Sequence, residues 1–206
     1  MNYVLLSFIL FCTNMDIHSL IQTRRSIRKF KQEQITIAVL KQICDDSRFT
    51  PSPGNLQPWE FLLVYDTNLT NEVFHHLEWL GGPPMMNERP VAYLVLLYPA
   101  ERKDDWSCLA GLGACCQNIL LSAWAYGIGS CWIGSIRNSK KLRNTFRIPD
   151  NLNIFSIIAL GYPAEEPVIE PGKDTLRPQR DESGTMHIPK KNLQDILHIN
   201  YYNPRD

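Results

Sequence analysis

No excess of either charge marks this chain: 21 lysines and arginines balance 21 aspartates and glutamates. A balanced surface builds no global field toward nucleic acid or an anionic membrane, so neither is expected as a partner. Metal-binding patterns are missing too. The six cysteines, at 12, 44, 108, 115, 116 and 131, form no C-x-x-C pair and have no histidine at ligand spacing. Zinc and iron–sulfur clusters are therefore unsupported. The thiols read as reduced and mostly buried, which suits a cytoplasm. No G-x-G-x-x-G nucleotide fold stands here, because Gly127, Gly129 and Gly134 are wrongly spaced for one. There is no internal repeat, and no linker that would divide the chain.

What is present is a chain of 206 residues and 44% apolar composition, enough for one domain with a full core. Residues 1–14 stand apart as an apolar N-terminal extension. The run from Tyr3 to Cys12 has the length of a signal-peptide core, but no basic segment precedes it and no small-x-small cleavage site follows. It falls short of the ~20 residues of a membrane span. Phe11 before Cys12 argues against a lipoprotein box. An extension, or an upstream start, is the preferred reading over a secretion signal, and residues 15–206 are expected to form a single domain.

Periodicity supplies the elements. Ile17, Leu20 and Ile21 predict a short helix that delivers Arg24, after which Ser26 to Lys31 reads as extended. Thr36 can cap a helix with the stripe Ile37, Leu40, Ile43 and Cys44. Trp59–Tyr65, Val91–Tyr98 and Ile154–Leu160 read as buried strands. Leu69 to Leu80 carries Val73, Phe74, Leu77 and Leu80 as a helix face, with His75 and His76 as surface residues rather than a metal site. Gly81 to Met86 is either a lid over an apolar substrate or a plain connection. Leu109 to Tyr126 is apolar or small nearly all round, as a central helix would be, buried by its sheet and by a second subunit. Gly127 to Ser130 turns it into a strand at Cys131–Ile133, Asn138 can cap a further helix, and the tail after Pro163 reads as polar and irregular until Leu193.

Two stretches carry chemistry. Arg24-Arg25-Ser26-Ile27-Arg28 places three guanidinium groups and a hydroxyl within five residues, the inventory that holds a phosphate. The bland reading is a set of solvated charges at the carbonyl end of a helix. Thr50 to Trp59 holds three prolines and a glycine that keep the backbone out of helix and sheet, with Ser52, Asn55 and Gln57 able to read a heteroaromatic edge. A structural turn is the alternative. Together they suggest a phosphorylated, ring-bearing ligand.

These motifs occur in a familiar order: R-R-S-x-R at Arg24–Arg28, P-S-x-x-N-x-Q-P-W at Pro51–Trp59, G-I-G-S-C-W-I-G at Gly127–Gly134 and G-Y-P-A-E-E-P at Gly161–Pro167. Across nearly its whole length the chain resembles the FMN-dependent nitroreductase family. The resemblance implies an α+β fold, a mixed sheet flanked by helices, and an intertwined homodimer with FMN at the interface. By similarity, Arg24, Arg25 and Ser26 hold the ribityl phosphate, joined by Lys190 or Lys191, and Arg28 faces the pyrimidine side of the ring. Pro51, Ser52, Pro53 and Asn55, with Gln57 behind them, reach the ring from the other subunit, and backbone at Ile133 and Gly134 lies near the hydride-accepting nitrogen. No catalytic side chain is needed, since the flavin carries the chemistry. The expected reaction is ping-pong transfer from NADH or NADPH to a nitroaromatic, a quinone or free flavin. A flavin-fragmenting or dehalogenating relative, or a flavin carrier or sensor without turnover, stays open.

Overall fold

Two long strands with hardly a polar interruption organise the molecule, because both of their faces are covered. The computed structural model describes residues 16–172 and 175–202, so the expectation for residues 1–14 lies outside them. The chain divides into two compact units between Ala164 and Glu165.

In the first unit, β1 (Glu60–Val64), β2 (Ala92–Pro99), β3 (Gly129–Ile133) and β4 (Leu152–Gly161) form a sheet in the order β1-β2-β4-β3, every pairing antiparallel. Side chains alternate across it. Leu94, Leu96, Ile158 and Leu160 face α2 (Ile37–Ser47) and α4 (Trp106–Ala125), while Tyr93, Val95, Leu97, Ile157 and Ala159 face α3 (Thr67–His75) and α5 (Ser139–Thr145). Fully burying one such aliphatic side chain contributes about 1.5–3 kcal/mol.

The helices start where their caps stand. Asp16 accepts from His18 and Ser19 N–H at 2.9 and 3.1 Å ahead of α1 (Ile17–Thr23), and Asn138 accepts from Lys141 N–H at 2.9 Å ahead of α5. Asp105, not noticed in the sequence, caps α4 through Ser107 and Cys108 and so starts it three residues before Leu109. α4 is long and apolar enough to cross a membrane by length and composition. Here it is a core helix, with Leu112, Cys115, Cys116 and Ile119 fully buried. Burial pushes the Cys44, Cys115 and Cys116 thiols up to about 11, 12 and 11.

Two sequence expectations need correction. The helix expected over 69–80 stops at His75, because Leu77 leaves it to pair with Ile136, and Glu78 N–H donates to the Ser135 carbonyl at 3.0 Å. The tail is not irregular. In the second unit, β5 (Val168–Pro171), β6 (Gln179–Arg180) and β7 (Met186–Lys190) form a mixed sheet ordered β5-β7-β6.

His187 ties that small sheet together. Its Nε2 lies 3.1 Å from Asp181 and its Nδ1 3.0 Å from Glu170 on β5. The two carboxylates, Asp181 first, hold the imidazolium above its ordinary range. Asp181 is held down to about 2 by Ser183 and then His187. A raised histidine pKa contributes stability that is complete below the unfolded value and fades as pH rises through the folded one. The depressed carboxylate works at the other end, its contribution fading as pH falls toward about 2. Amide exchange in β5 and β7 is therefore expected to speed up above neutral pH, beyond its ordinary base-catalysed rise, in wild type and not in His187→Asn. Equal pH profiles for the two proteins would show that the clamp is idle.

Candidate functional site

β3 is an edge strand, and the extended segment after α1 covers only its first part. Ser26 bridges Ser130 in parallel, with Ile27 N–H donating to the Ser130 carbonyl at 2.9 Å. Further bonds, from Phe30 N–H to the Glu88 carbonyl at 2.9 Å and from Lys31 N–H to that of Tyr162 at 2.8 Å, fix the rest of the segment. Ile27 and Phe30 are fully buried. They fit because they seat on glycines: a Cβ at Gly129 would stand 2.9 Å from Ile27 Cγ1, and one at Gly161 2.7 Å from Phe30 Cδ1. Around Ile27, alternation turns Ser26 and Arg28 to the side away from its side chain.

Arg24 follows α1 directly and caps it, its N–H donating to the Leu20 carbonyl at 3.2 Å. Its guanidinium is only partly solvated. Nη1 is buried without a hydrogen-bond partner, and burial, reinforced by the charge of Arg25, lowers its pKa. Arg25 spends Nη1 on the carbonyls of Gln22 and Arg24, at 2.5 and 2.9 Å, while its Nε is buried and unpartnered. Adjacent, partly buried cations with unused donors carry a cost that an anion would offset. A phosphate monoester has the charge and the acceptor oxygens to do so.

Beyond Ser130 the edge of β3 borders a cavity of about 380 Å³, lined by Arg28, residues 78–80 and residues 131–135. The early end of α3 builds its second wall. The Leu77–Ile136 bridge, with Arg137 N–H donating to the His76 carbonyl at 2.9 Å, carries Glu78, Trp79 and Leu80 up against Gly134 and Ser135. Trp79 is only 8% exposed and packs on Phe74 with ring centroids 6.1 Å apart, yet its Nε1 has no partner. Trp132 is 40% exposed. The Glu78–Arg137 pair at 3.7 Å has both side chains more than half exposed and contributes little.

The structure thus brings Arg28, Ile133 and Gly134 to one cavity, with Arg24, Arg25 and Ser26 on the segment leading into it. Pro51, Ser52, Pro53, Asn55 and Gln57 do not line the cavity of their own chain. Their loop lies along α4. Asn118 donates to Thr50 Oγ1 at 2.8 Å, and a Cβ at Gly111 would meet Ser52 Cβ at 3.3 Å. Ser52 Oγ accepts from Gln57 N–H at 2.9 Å, and Asn55 and Gln57 take the left-handed conformation at φ 55° and 47°, so the loop is a set shape. Lys190 and Lys191 are exposed at the end of β7 in the second unit. The cavity residues not anticipated are Glu78 to Leu80, Cys131, Trp132 and Ser135. Trp132 sits inside a motif already singled out, whereas a helix assigned through Leu80 concealed Trp79.

The model of the nitroreductase family matches residues 21–79 and 70–162. Among curated proteins, a candidate NADH dehydrogenase/NAD(P)H nitroreductase of Archaeoglobus fulgidus is 34% identical over 78% of this chain and 93% of its own. A candidate NAD(P)H nitroreductase of Bacillus subtilis is 30% identical over 75% of this chain and 88% of its own. Among solved structures, a candidate nitroreductase of Desulfovibrio desulfuricans, in complex with FMN, superposes with a TM-score of 0.69 at 22% identity, over 93% of this chain and 100% of that one.

Proposed function

We propose that this chain, which belongs to the nitroreductase family, is an FMN-dependent NAD(P)H oxidoreductase whose acceptor is a nitroaromatic, a quinone or a flavin. One observation carries the reading: unpartnered buried guanidinium donors of Arg24 and Arg25 stand on the segment that leads to an aromatic-lined cavity. Arg24, Arg25 and Ser26 would hold the terminal phosphate, with Lys190 or Lys191 as a further cation. Bound there, the flavin supplies two-electron transfer between the nicotinamide and the acceptor, which exchange at one site. Arg28 gives the cavity positive charge and favours an electron-rich occupant. The main chain at Ile133 and Gly134 offers polar groups to a flat ring, and no side chain at Gly134 blocks its approach.

The same reading makes the protein a cytoplasmic homodimer. The Pro51–Gln57 loop does not line the cavity of its own chain, and on this reading a second subunit would bring it to the ring. The outward face of α4 supports this, with Trp106 at 77% exposure and the small residues Ala110, Gly113 and Ala114 left uncovered or half-covered. Purified protein is expected to be yellow and to release FMN, not FAD, on denaturation. Its absorbance should bleach with NADH or NADPH and recover on adding a nitroaromatic or a quinone. Bound flavin that neither nucleotide reduces would make the protein a carrier, and protein that binds no FMN would end the reading.

A further inference from the structure

Arg24, Arg25 and Ser26 are strung between two anchors. Downstream, Ile27 seats on Gly129 and its N–H donates to the Ser130 carbonyl at 2.9 Å. Upstream, the core helix supplies the hold: the indole Nε1 of Trp124, near the end of α4, donates to Thr23 Oγ1 at 3.0 Å, and Thr23 donates in turn to the Ser19 carbonyl at 2.6 Å. That upstream anchor matters because α1 does little to place its own end. It has seven residues, none of them buried, and Ile17 and Ile21 are 58% and 54% exposed. A helix shorter than ~12–15 residues is marginal in water without tertiary contacts. Trp124 is half-buried against the core on a helix of 20 residues. Its hydrogen bond carries the position of α4 to the last residue before the arginines.

We propose that Trp124 is a positioning residue of the phosphate site, its indole N–H fixing Thr23 and through it the guanidinium pair that follows; this rests on the flavin-dependent function above. Arg24 leaves the helix at once, with φ −57° and ψ 132°, and Arg25 stands beside it with the same charge. On a free chain two such cations move apart into solvent. Held at both ends, they keep their donors set before the anion arrives, and binding then loses less conformational freedom. Trp124 does not line the cavity. Its influence therefore falls on the part of the affinity that comes from the phosphate and not on the part that comes from the ring. FMN and riboflavin share the ring and differ in that phosphate, so their affinity ratio isolates the effect.

The test titrates full-length apoprotein with FMN and with riboflavin, for wild type, Trp124→Phe and Thr23→Val. The first change deletes the donor; the second keeps a branched side chain at an exposed position and deletes the acceptor. Each is expected to weaken FMN binding about three- to tenfold, the scale of one hydrogen bond, and to leave the Kd for riboflavin as in wild type. Both remove the same bond, so the double variant should lose no more than either single one. Thr23→Ser, which keeps the hydroxyl, should bind FMN as wild type does. Should the smaller ring disturb folding, benzothienylalanine at position 124 keeps the shape and deletes only the donor. An FMN-to-riboflavin affinity ratio unchanged in the donor-less protein overturns the proposal, as do equal losses for both ligands or losses that multiply in the double variant. A wild type that prefers FMN, paired with indifferent variants, removes Trp124 alone; a wild type that binds FMN no more tightly than riboflavin removes the phosphate site with it.

Discussion

Replacing Arg24 and Ser26 together by alanine is expected to yield largely colourless protein. The change deletes a charged donor set and a hydroxyl from the phosphate position. Charge-assisted hydrogen bonds contribute about 1.5–3 kcal/mol and a neutral one about 1 kcal/mol, so the combined loss is about 2.5–4 kcal/mol. That weakens FMN binding about a hundred- to a thousandfold. Stability should move the other way. The apoprotein buries part of Arg24 beside a like charge and leaves Nη1 unanswered. Without flavin, the double variant should therefore melt no lower than wild type. A structural Arg24 would give the reverse result, a less stable apoprotein that still binds FMN tightly. Fluorimetric titration of FMN together with apoprotein melting separates the two, and full occupancy in the variant ends the phosphate assignment.

The second large effect concerns folding. Gly161→Ala brings a Cβ to 2.7 Å from Phe30 Cδ1 and 2.9 Å from Phe30 Cβ. Phe30 cannot retreat, being fully buried and held through its own N–H and that of Lys31. Overpacking of this kind costs about 1–3 kcal/mol or somewhat more. In a chain of this size that lowers Tm by about 3–10 °C. FMN affinity should fall as well, since the displaced segment carries Ser26 and Arg28. Gly134→Ala is the contrast, because nothing stands within 4 Å of its added Cβ. It should fold normally and reveal any effect at the cavity alone. If Gly161→Ala melts with wild type, the segment is softer than its contacts indicate.

Much of the architecture was legible because it depends on local signals. Thr36 and Asn138 cap as their side chains allow, and the apolar runs became β1, β2 and β4 within one or two residues at each end. What escaped depends on partners distant in the chain. Leu77 and Leu80 keep the spacing of the helix before them, yet pairing with Ile136 wins over that propensity, and no local pattern announces it. The β5–β7 strands are short and carry prolines at 171 and 189, which blunt any alternation. For the site, the cluster of arginines is visible in one line of sequence. That Arg24 and Arg25 are partly buried, each with one guanidinium nitrogen out of reach of water and of any protein acceptor, is a three-dimensional fact.

The raised thiols of Cys44, Cys115 and Cys116 bear on how such a protein would survive its own trade. Quinones and the partially reduced products of nitroaromatics are electrophiles, and the thiolate is the form of cysteine they capture. With values of about 11, 12 and 11, these groups at neutral pH are ionised to about one part in ten thousand or less. Cys115 and Cys116 are also fully buried. A helix that carries two adjacent sulfur atoms through the core thus keeps both in the thiol form, out of reach of thiol-reactive compounds.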